Sequence, residues 1–398
     1  MKMKVNKYNQ NKLIFITCMP MSEPKTASMY FMKILLDRYA NIFTWFSLRK
    51  TRKISNEWEI PYCSTSPINF PKSNSDLRIF FNLYPWAIVR ALKAIWYGWR
   101  NNVQIVFSDL AFEAVIVGRF VAKILNIPLI SMVHDDPVNR IEKKTYPTWL
   151  INIYKKSFIK TLKYSGSIMV ISDYMGEYYK KKYGIKYVTL FPGKHEKENL
   201  PLKSFDNLQK NLTIGLVGSI DCMKNFKILL KVCEDINKLE KYGKIKIIHI
   251  GKTPPNISVN PILSFEGYLE EKLFNKKLIE FDIGYLNLNF NEKYRATVLT
   301  SFPLKVHTYI QAGAPLLAVG PIDSSIIKFV NENNCGLSII EQNYKPLYLG
   351  LTKLLSNKKY LNNYSEGIHQ LRSKFSVKKF HSTFIGEINK YINNVSNV

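Results

Sequence analysis

The sequence contains no uncharged apolar run of about 18 residues or more, so nothing in it reads as a bilayer-crossing helix. Its first apolar run, Leu13 to Met19, is brief and suits a strand better than a secretion signal, and the expected location is cytoplasmic. There is no C-x-x-C pair. The five cysteines, Cys18, Cys63, Cys222, Cys233 and Cys335, are odd in number and scattered, which argues against a disulfide frame or a zinc site. The six histidines form no close pair at ligand spacing, so no bound metal is expected. G-x-G-x-x-G is also missing from the first β-loop-α unit, which counts against a nicotinamide or flavin site there.

Acid is scarce: 30 Asp and Glu face 57 Lys and Arg, a net charge of +27. Such an excess calls for an anionic partner, whether nucleic acid, anionic lipid or a phosphorylated small molecule. No zinc finger, R-G-F-type motif or recognition-helix pattern is present, so nucleic acid is not expected. The segment Ile79 to Trp99 interleaves aromatic residues with Arg90 and Lys93, as an interfacial helix facing anionic headgroups does. A core helix with an aromatic entry, burying Ile88 to Ile95, is the competing reading.

At 398 residues the chain suits two domains of about 150 to 200 residues each. Apolar runs and amphipathic stretches alternate as β and α. In the first half, Leu13–Thr17, Val103–Phe107, Pro128–Val133, Ser167–Ser172 and Tyr187–Phe191 read as strands. In the second, Leu212–Val217, Lys246–Ile250, Leu263–Tyr268, Ile283–Leu288, Pro315–Val319 and Gly336–Ile340 do so. Asn289 to Thr297 reads as a polar loop, and the charged, Pro-punctuated stretch near residues 196–209 as a linker.

Two places carry chemistry. The strand Pro128–Val133 ends at His134-Asp135-Asp136-Pro137, and strand ends in an open α/β sheet are where ligands collect. His134 is either a group at the reacting centre or the closure of a turn before Pro137. The second place is Leu299 to Gly320, where Pro303 opens a helix and Gly313 stops it. Lys305 then lies in the first turn beside free N–H groups, a setting for a phosphate. A solvated lysine on an ordinary β-α-β connection is the plain alternative. About 80 residues earlier, Gly218 with Lys224 opens the second domain's first βα unit, where a diphosphate can approach the backbone.

The pattern P-x-K-x-x-x-Y-x-x-x-G-x-P, carried by Pro303, Lys305, Tyr309, Gly313 and Pro315 ahead of an apolar strand, resembles the donor-site helix of the GT-B glycosyltransferases, most closely family 4. The resemblance implies two Rossmann-like, doubly wound α/β domains facing a central cleft, with the C-terminal helix crossing back to the first. Residues 1–195 would form the acceptor-side domain, 196–209 the linker, 210–375 the donor domain and 376–398 the returning helix. It further implies sugar transfer from a UDP- or GDP-sugar to a glycan or lipid-linked acceptor, as in surface polysaccharide or glycoconjugate synthesis, with retention and without a metal or other cofactor.

Carried over residue by residue, Gly218, Ser219, Lys224, Gly267, Tyr268, Arg295, Pro303, Lys305, Thr308 and Tyr309 would bind the donor, with His134 near the sugar. The chain departs from the pattern at three points. Ser219 stands where relatives usually have a basic residue, and Thr300 and Thr308 stand where two glutamates are frequent. A hydroxyl hydrogen-bonds a ribose but does not balance a developing positive charge as a carboxylate does. Two other readings stay open: a non-catalytic partner subunit of the same fold, and a sugar-nucleotide epimerase of that fold.

Overall fold

A computed structural model describes residues 12–21, 27–50, 57–66, 75–143, 146–193, 200–205, 211–252 and 260–392. The chain divides into two compact units, Met1–Pro192 with Phe380–Val398, and Gly193–Lys379.

Unit 1 carries seven strands: β1 (Leu13–Thr17), β2 (Phe43–Ser47), β3 (Tyr62–Ser64), β4 (Ile105–Asp109), β5 (Leu129–Val133), β6 (Ser167–Val170) and β7 (Val188–Thr189). Its helices are α1 (Ala27–Tyr39), α2 (Ser75–Leu83), α3 (Pro85–Arg100), α4 (Ala114–Leu125), α5 (Pro137–Glu142), α6 (Thr148–Tyr164) and α7 (Asp173–Tyr183). The sheet is parallel in the order β3-β2-β1-β4-β5-β6-β7. Every residue of β1, β2, β4 and β5 is buried, as in a parallel sheet covered on both faces, which is why β1 and β5 read as largely apolar runs.

Unit 2 carries β8 (Leu212–Val217), β9 (Ile245–Ile250), β10 (Leu263–Gly267), β11 (Ile283–Asn287), β12 (Leu316–Val319) and β13 (Gly336–Ile339). Around them lie α8 (Met223–Asn237), α9 (Glu271–Ile279), α10 (Arg295–Thr300), α11 (Leu304–Ala312), α12 (Ser325–Glu332), α13 (Tyr344–Ser356) and α14 (Lys359–Lys374). This sheet is parallel in the order β10-β9-β8-β11-β12-β13. The last helix, α15 (Val377–Ile388), ends in unit 1: Phe384 stacks on Phe43 and meets Phe107 edge-on, and Glu387 accepts a 2.8 Å hydrogen bond from Ser167.

Both sheets reverse winding direction, between β1 and β4 in unit 1 and between β8 and β11 in unit 2. The carboxyl ends of those strand pairs form the crevices where open α/β sheets take ligands.

Some expectations shift. Arg295 begins α10 rather than lying in a polar loop. Of the stretch read as a linker, 194–199 and 206–210 lie outside the described residues. Residues 200–205 pack into unit 2, where Phe205 is buried and Arg372 donates to the Leu200 carbonyl at 2.7 Å.

The aromatic segment splits differently from either reading. On α3 the core side is small, Ala87, Ala91, Ala94 and Gly98, and a Cβ at Gly98 would meet Leu125 at 2.6 Å. The large residues Ile88, Val89, Leu92, Trp96 and Trp99 face outward, Trp99 being 75% exposed. Ile88 therefore lies outside the core. Arg90, grouped by the sequence with the headgroup-facing cations, is buried.

Candidate functional site

In unit 2, β8 and β11 pair only at Ile283↔Ile214 and Gly284↔Gly215. Beyond those residues the strands diverge, leaving backbone groups near their carboxyl ends without ladder partners. The Tyr309 hydroxyl fills the gap: it accepts from the Val217 N–H at 3.0 Å and donates to the Tyr285 carbonyl at 3.2 Å. Its ring lies where a side chain on residue 284 would be, 2.3 Å from an ideal Cβ, so only glycine fits there. Burial pushes the phenol above its ordinary pKa. Tyr309 is thus a core pin, fully buried beneath the crevice where the resemblance places the donor.

One turn back on the same helix, Lys305 clears the sheet edge. Its ammonium donates to the Ser219 carbonyl at 2.9 Å and to Asp221 Oδ2 at 2.7 Å. Pro303 is the N-cap of α11, one position before the first helical residue where it was expected, and Gly313 ends the helix at φ +70°. Beneath Lys305, Gly218 turns at φ +76°, and its carbonyl is held at 2.7 Å by Nε2 of the buried His249. That contact fixes Nε2 as the protonated nitrogen. Burial, reinforced by the Lys305 charge, lowers the His249 pKa, so the ring is a neutral donor.

The other expected donor residues are spread. Lys224 is exposed in the first turn of α8. Ser219 is exposed and donates to Asp221 at 2.9 Å. Gly267, at φ +68°, ends the edge strand β10, and Tyr268 beside it is 86% exposed. Arg295 is no free cation, because it forms a two-pronged ion pair with Asp323. Thr308 bonds back to the Leu304 carbonyl and the buried Thr300 to Ala296, so both hydroxyls are turned onto their own helices. Asp221 and His249 are the residues that sequence reasoning passed over. A single histidine in the apolar run of β9 was the only signal for the second.

In unit 1 a cavity of about 260 Å³ lies at the ends of β1, β4 and β5, lined by Cys18, Arg49, Asp109, His134, Asp135 and Arg140 among others. The three residues after β5 have separate tasks. His134 lines the cavity with its ring edge-on to Phe31, Asp135 pairs with Arg140 at 3.1 Å, and Asp136 caps α5 by accepting from the Asn139 N–H at 2.8 Å. The turn-closing role therefore falls to Asp136. Burial first, and the Arg140 charge second, push the His134 pKa down to about 3, so its imidazole is neutral. Burial carries Asp109 the other way, up to about 7, against the pull of Arg140 and a hydrogen bond from Thr17. Behind the cavity, Glu113 is buried between Arg49 and Arg90. All five cysteines are free thiols. Among the described residues no group of three or more His, Cys, Asp or Glu is placed to hold a metal ion, and no helix is long and apolar enough to cross a membrane.

No family model matches the chain, and no curated protein does. Solved structures do match over nearly their whole length. Sucrose-phosphate synthase from Thermosynechococcus elongatus has a TM-score of 0.67 at 13% identity, covering 95% of this chain and 98% of that one. Anabaena HepE, in complex with UDP and glucose, has 0.64 at 11%, covering 95% and 99%. A glycosyltransferase from Rickettsia africae has 0.62 at 14%, covering 96% and 100%. At such identities the likeness speaks for architecture alone: the fold of this chain is the GT-B fold of nucleotide-sugar glycosyltransferases.

Proposed function

We propose that the chain is a family 4-like glycosyltransferase that moves a sugar from a UDP- or GDP-sugar to a glycan or lipid-linked acceptor, with retention and without a metal. The observation that carries this reading is Lys305, held across the mouth of the β8–β11 crevice by Ser219 and Asp221. There it can exchange the Asp221 carboxylate for a diphosphate. Departure of a nucleoside diphosphate leaves negative charge on its oxygens, which the Lys305 ammonium and the N–H groups opening α11 would stabilise. Lys224 adds a second cation at the start of α8. Support also comes from the HepE structure, which contains UDP and glucose. In unit 1 the reading assigns the cavity beside His134 to the acceptor. A neutral imidazole suits hydrogen bonding to sugar hydroxyls there. The test is release of nucleoside diphosphate from a panel of UDP- and GDP-sugars, with and without acceptors. Donor binding without turnover over the whole panel would favour the non-catalytic partner, and donor conversion with no acceptor would favour an epimerase.

The reading extends to an anionic membrane. The outward face of α3 carries Leu92, Trp96 and Trp99 with Lys93 and Arg100, and Arg100 lies 5.3 Å from the Trp96 ring centre. On α6, Trp149, Ile153, Lys156, Lys160 and Lys163 recur at helical spacing, and all are exposed. Each cation near such a surface contributes about 1 kcal/mol, screened over roughly 8 Å at physiological salt. Sedimentation with anionic vesicles at low salt should capture the protein, and replacing Trp96 and Trp99 by Ser should release most of it. Equal recovery with neutral vesicles would remove the electrostatic part of the proposal.

A further inference from the structure

The cavity of unit 1 has a charge arrangement that its own fold does not balance. Glu113 is 2% exposed and Arg90 still more deeply buried, with 3.6 Å between guanidinium and carboxylate. The Arg90 guanidinium is also satisfied by the carbonyls of Leu48, Asn82 and Trp86. Glu113 nevertheless takes a second guanidinium: Arg49 Nη2 donates to its two oxygens at 2.8 and 3.1 Å. The Cys18 thiol donates to the same carboxylate at 3.1 Å. Two arginines thus share one acid, leaving a surplus positive charge whose outer member, Arg49, lines the cavity and is 37% exposed. Among the described residues Arg49 Nε and Nη1 have no partner, so part of its fork is unused. The other cavity cation, Arg140, is already neutralised by Asp135.

We propose that this cavity binds a ligand through an anionic oxygen group, a phosphomonoester on a sugar-sized body, with the Arg49 guanidinium as its receptor and Glu113 with Arg90 holding that guanidinium in place. Charge-assisted, forked contacts from arginine are the strong way to hold a phosphoryl group, and a partly buried surplus charge favours a counter-anion. At about 260 Å³ the cavity has room for one ring with one phosphoryl group. Asp109, whose burial keeps it largely protonated below neutrality, withholds a negative charge that would cancel the surplus. His134 on the same wall offers a neutral ring to hydroxyls. The inference names the class of acceptor for the cavity proposed above and rests on that reading only for the word acceptor, because binding is measured without donor or transfer.

The experiment is calorimetric titration of the full chain with glucose 6-phosphate, glucose, inorganic phosphate and farnesyl phosphate, alongside UDP. Glucose 6-phosphate should bind at least tenfold more tightly than glucose, and inorganic phosphate should compete. Arg49→Gln should lose at least tenfold of that affinity while its UDP affinity stays as in the parent. Arg49→Lys, which keeps a cation for Glu113 but not the fork, should lose part of it and serves if the Gln variant does not fold. Preference for glucose 6-phosphate supports the sugar-sized body, whereas preference for farnesyl phosphate overturns it. Glucose binding as tightly as both phosphates, or an unchanged affinity in the Arg49 variants, overturns the proposal. UDP binding with no phosphate binding refutes this inference alone, whereas phosphate binding without UDP binding refutes the donor reading alone.

Discussion

The two switch-point crevices are built from the same strand order and filled by opposite means. At the end of β8 the chain turns on Gly218, with open space where a side chain would be, and leaves backbone with Lys305 at the mouth. At β1 and β4 it crowds in ionisable groups, Asp109, Glu113, Arg49 and His134 around one small cavity. Bare backbone suits an anion that repeats unchanged from donor to donor. A wall of side chains suits a ligand that must be told apart from others, because each polar group left unmatched costs binding.

Variants can break or sharpen that contrast. The largest effect is expected from Lys305→Ala, which removes the cation bridging the unit 2 crevice: turnover should fall by two to three orders of magnitude, since lost oxyanion-type stabilisation is worth roughly 2.7 to 4 kcal/mol. Wild-type donor affinity and rate in that variant would take α11 out of the active site. Next comes His134→Ala, expected to reduce turnover by about 100-fold with donor affinity nearly unchanged. A lowered melting temperature at an unaltered rate would leave His134 as packing for Phe31.

The third variant is Asp109→Asn, and its readout is pH. The folded-state pKa near 7 lies above the ordinary 3.8, so the native state holds the extra proton and stability falls as pH rises between those values. Between pH 5 and pH 8 the parent should lose about 2.5 kcal/mol relative to the asparagine variant. His134 acts with the opposite sign, its native pKa lying below the ordinary 6.5, so denaturation of the two proteins is compared at each pH rather than across pH. A difference that does not vary with pH would mean that Asp109 is ionised throughout. The smallest effect is expected from Tyr309→Phe, which strands the Val217 N–H and the Tyr285 carbonyl and should cost about 1 to 3 kcal/mol of stability. Thermal denaturation measures it, and a rate loss larger than that of Lys305→Ala would return Tyr309 to the site.

Much of this was legible from residue order, for reasons that differ by element. Strands buried on both faces announce themselves as apolar runs, so β1 and β8 lie at the residues expected. β2 is interrupted by Thr44 and Ser47, β3 has three residues, and α14, with Asn362, Asn363, Ser365 and Gly367, carries weak helical propensity, so none of the three stood out. Lys305 was legible because Pro303 and Gly313 punctuate its helix. The burial of Tyr309 was not legible, because a spacing of four residues shows that two side chains share a helix face, but not that one of them clears the sheet edge while the other ends beneath it. The Arg49–Glu113–Arg90 group had no local signature at all, its members meeting across 64 and 23 residues of chain.

The Lys305–Asp221 contact has a consequence for a cell full of loose phosphate. An empty crevice of this kind comes with its own stand-in anion, tethered and therefore present at high local concentration. Any visitor must outcompete that carboxylate before it is held. A lone orthophosphate ion, with one point of attachment, gains little by the exchange. On the proposed donor reading, a nucleoside diphosphate would bring more oxygens and a base to the same crevice, and would displace the aspartate. On that reading the ion pair would act as a threshold, occupying the site against small solutes.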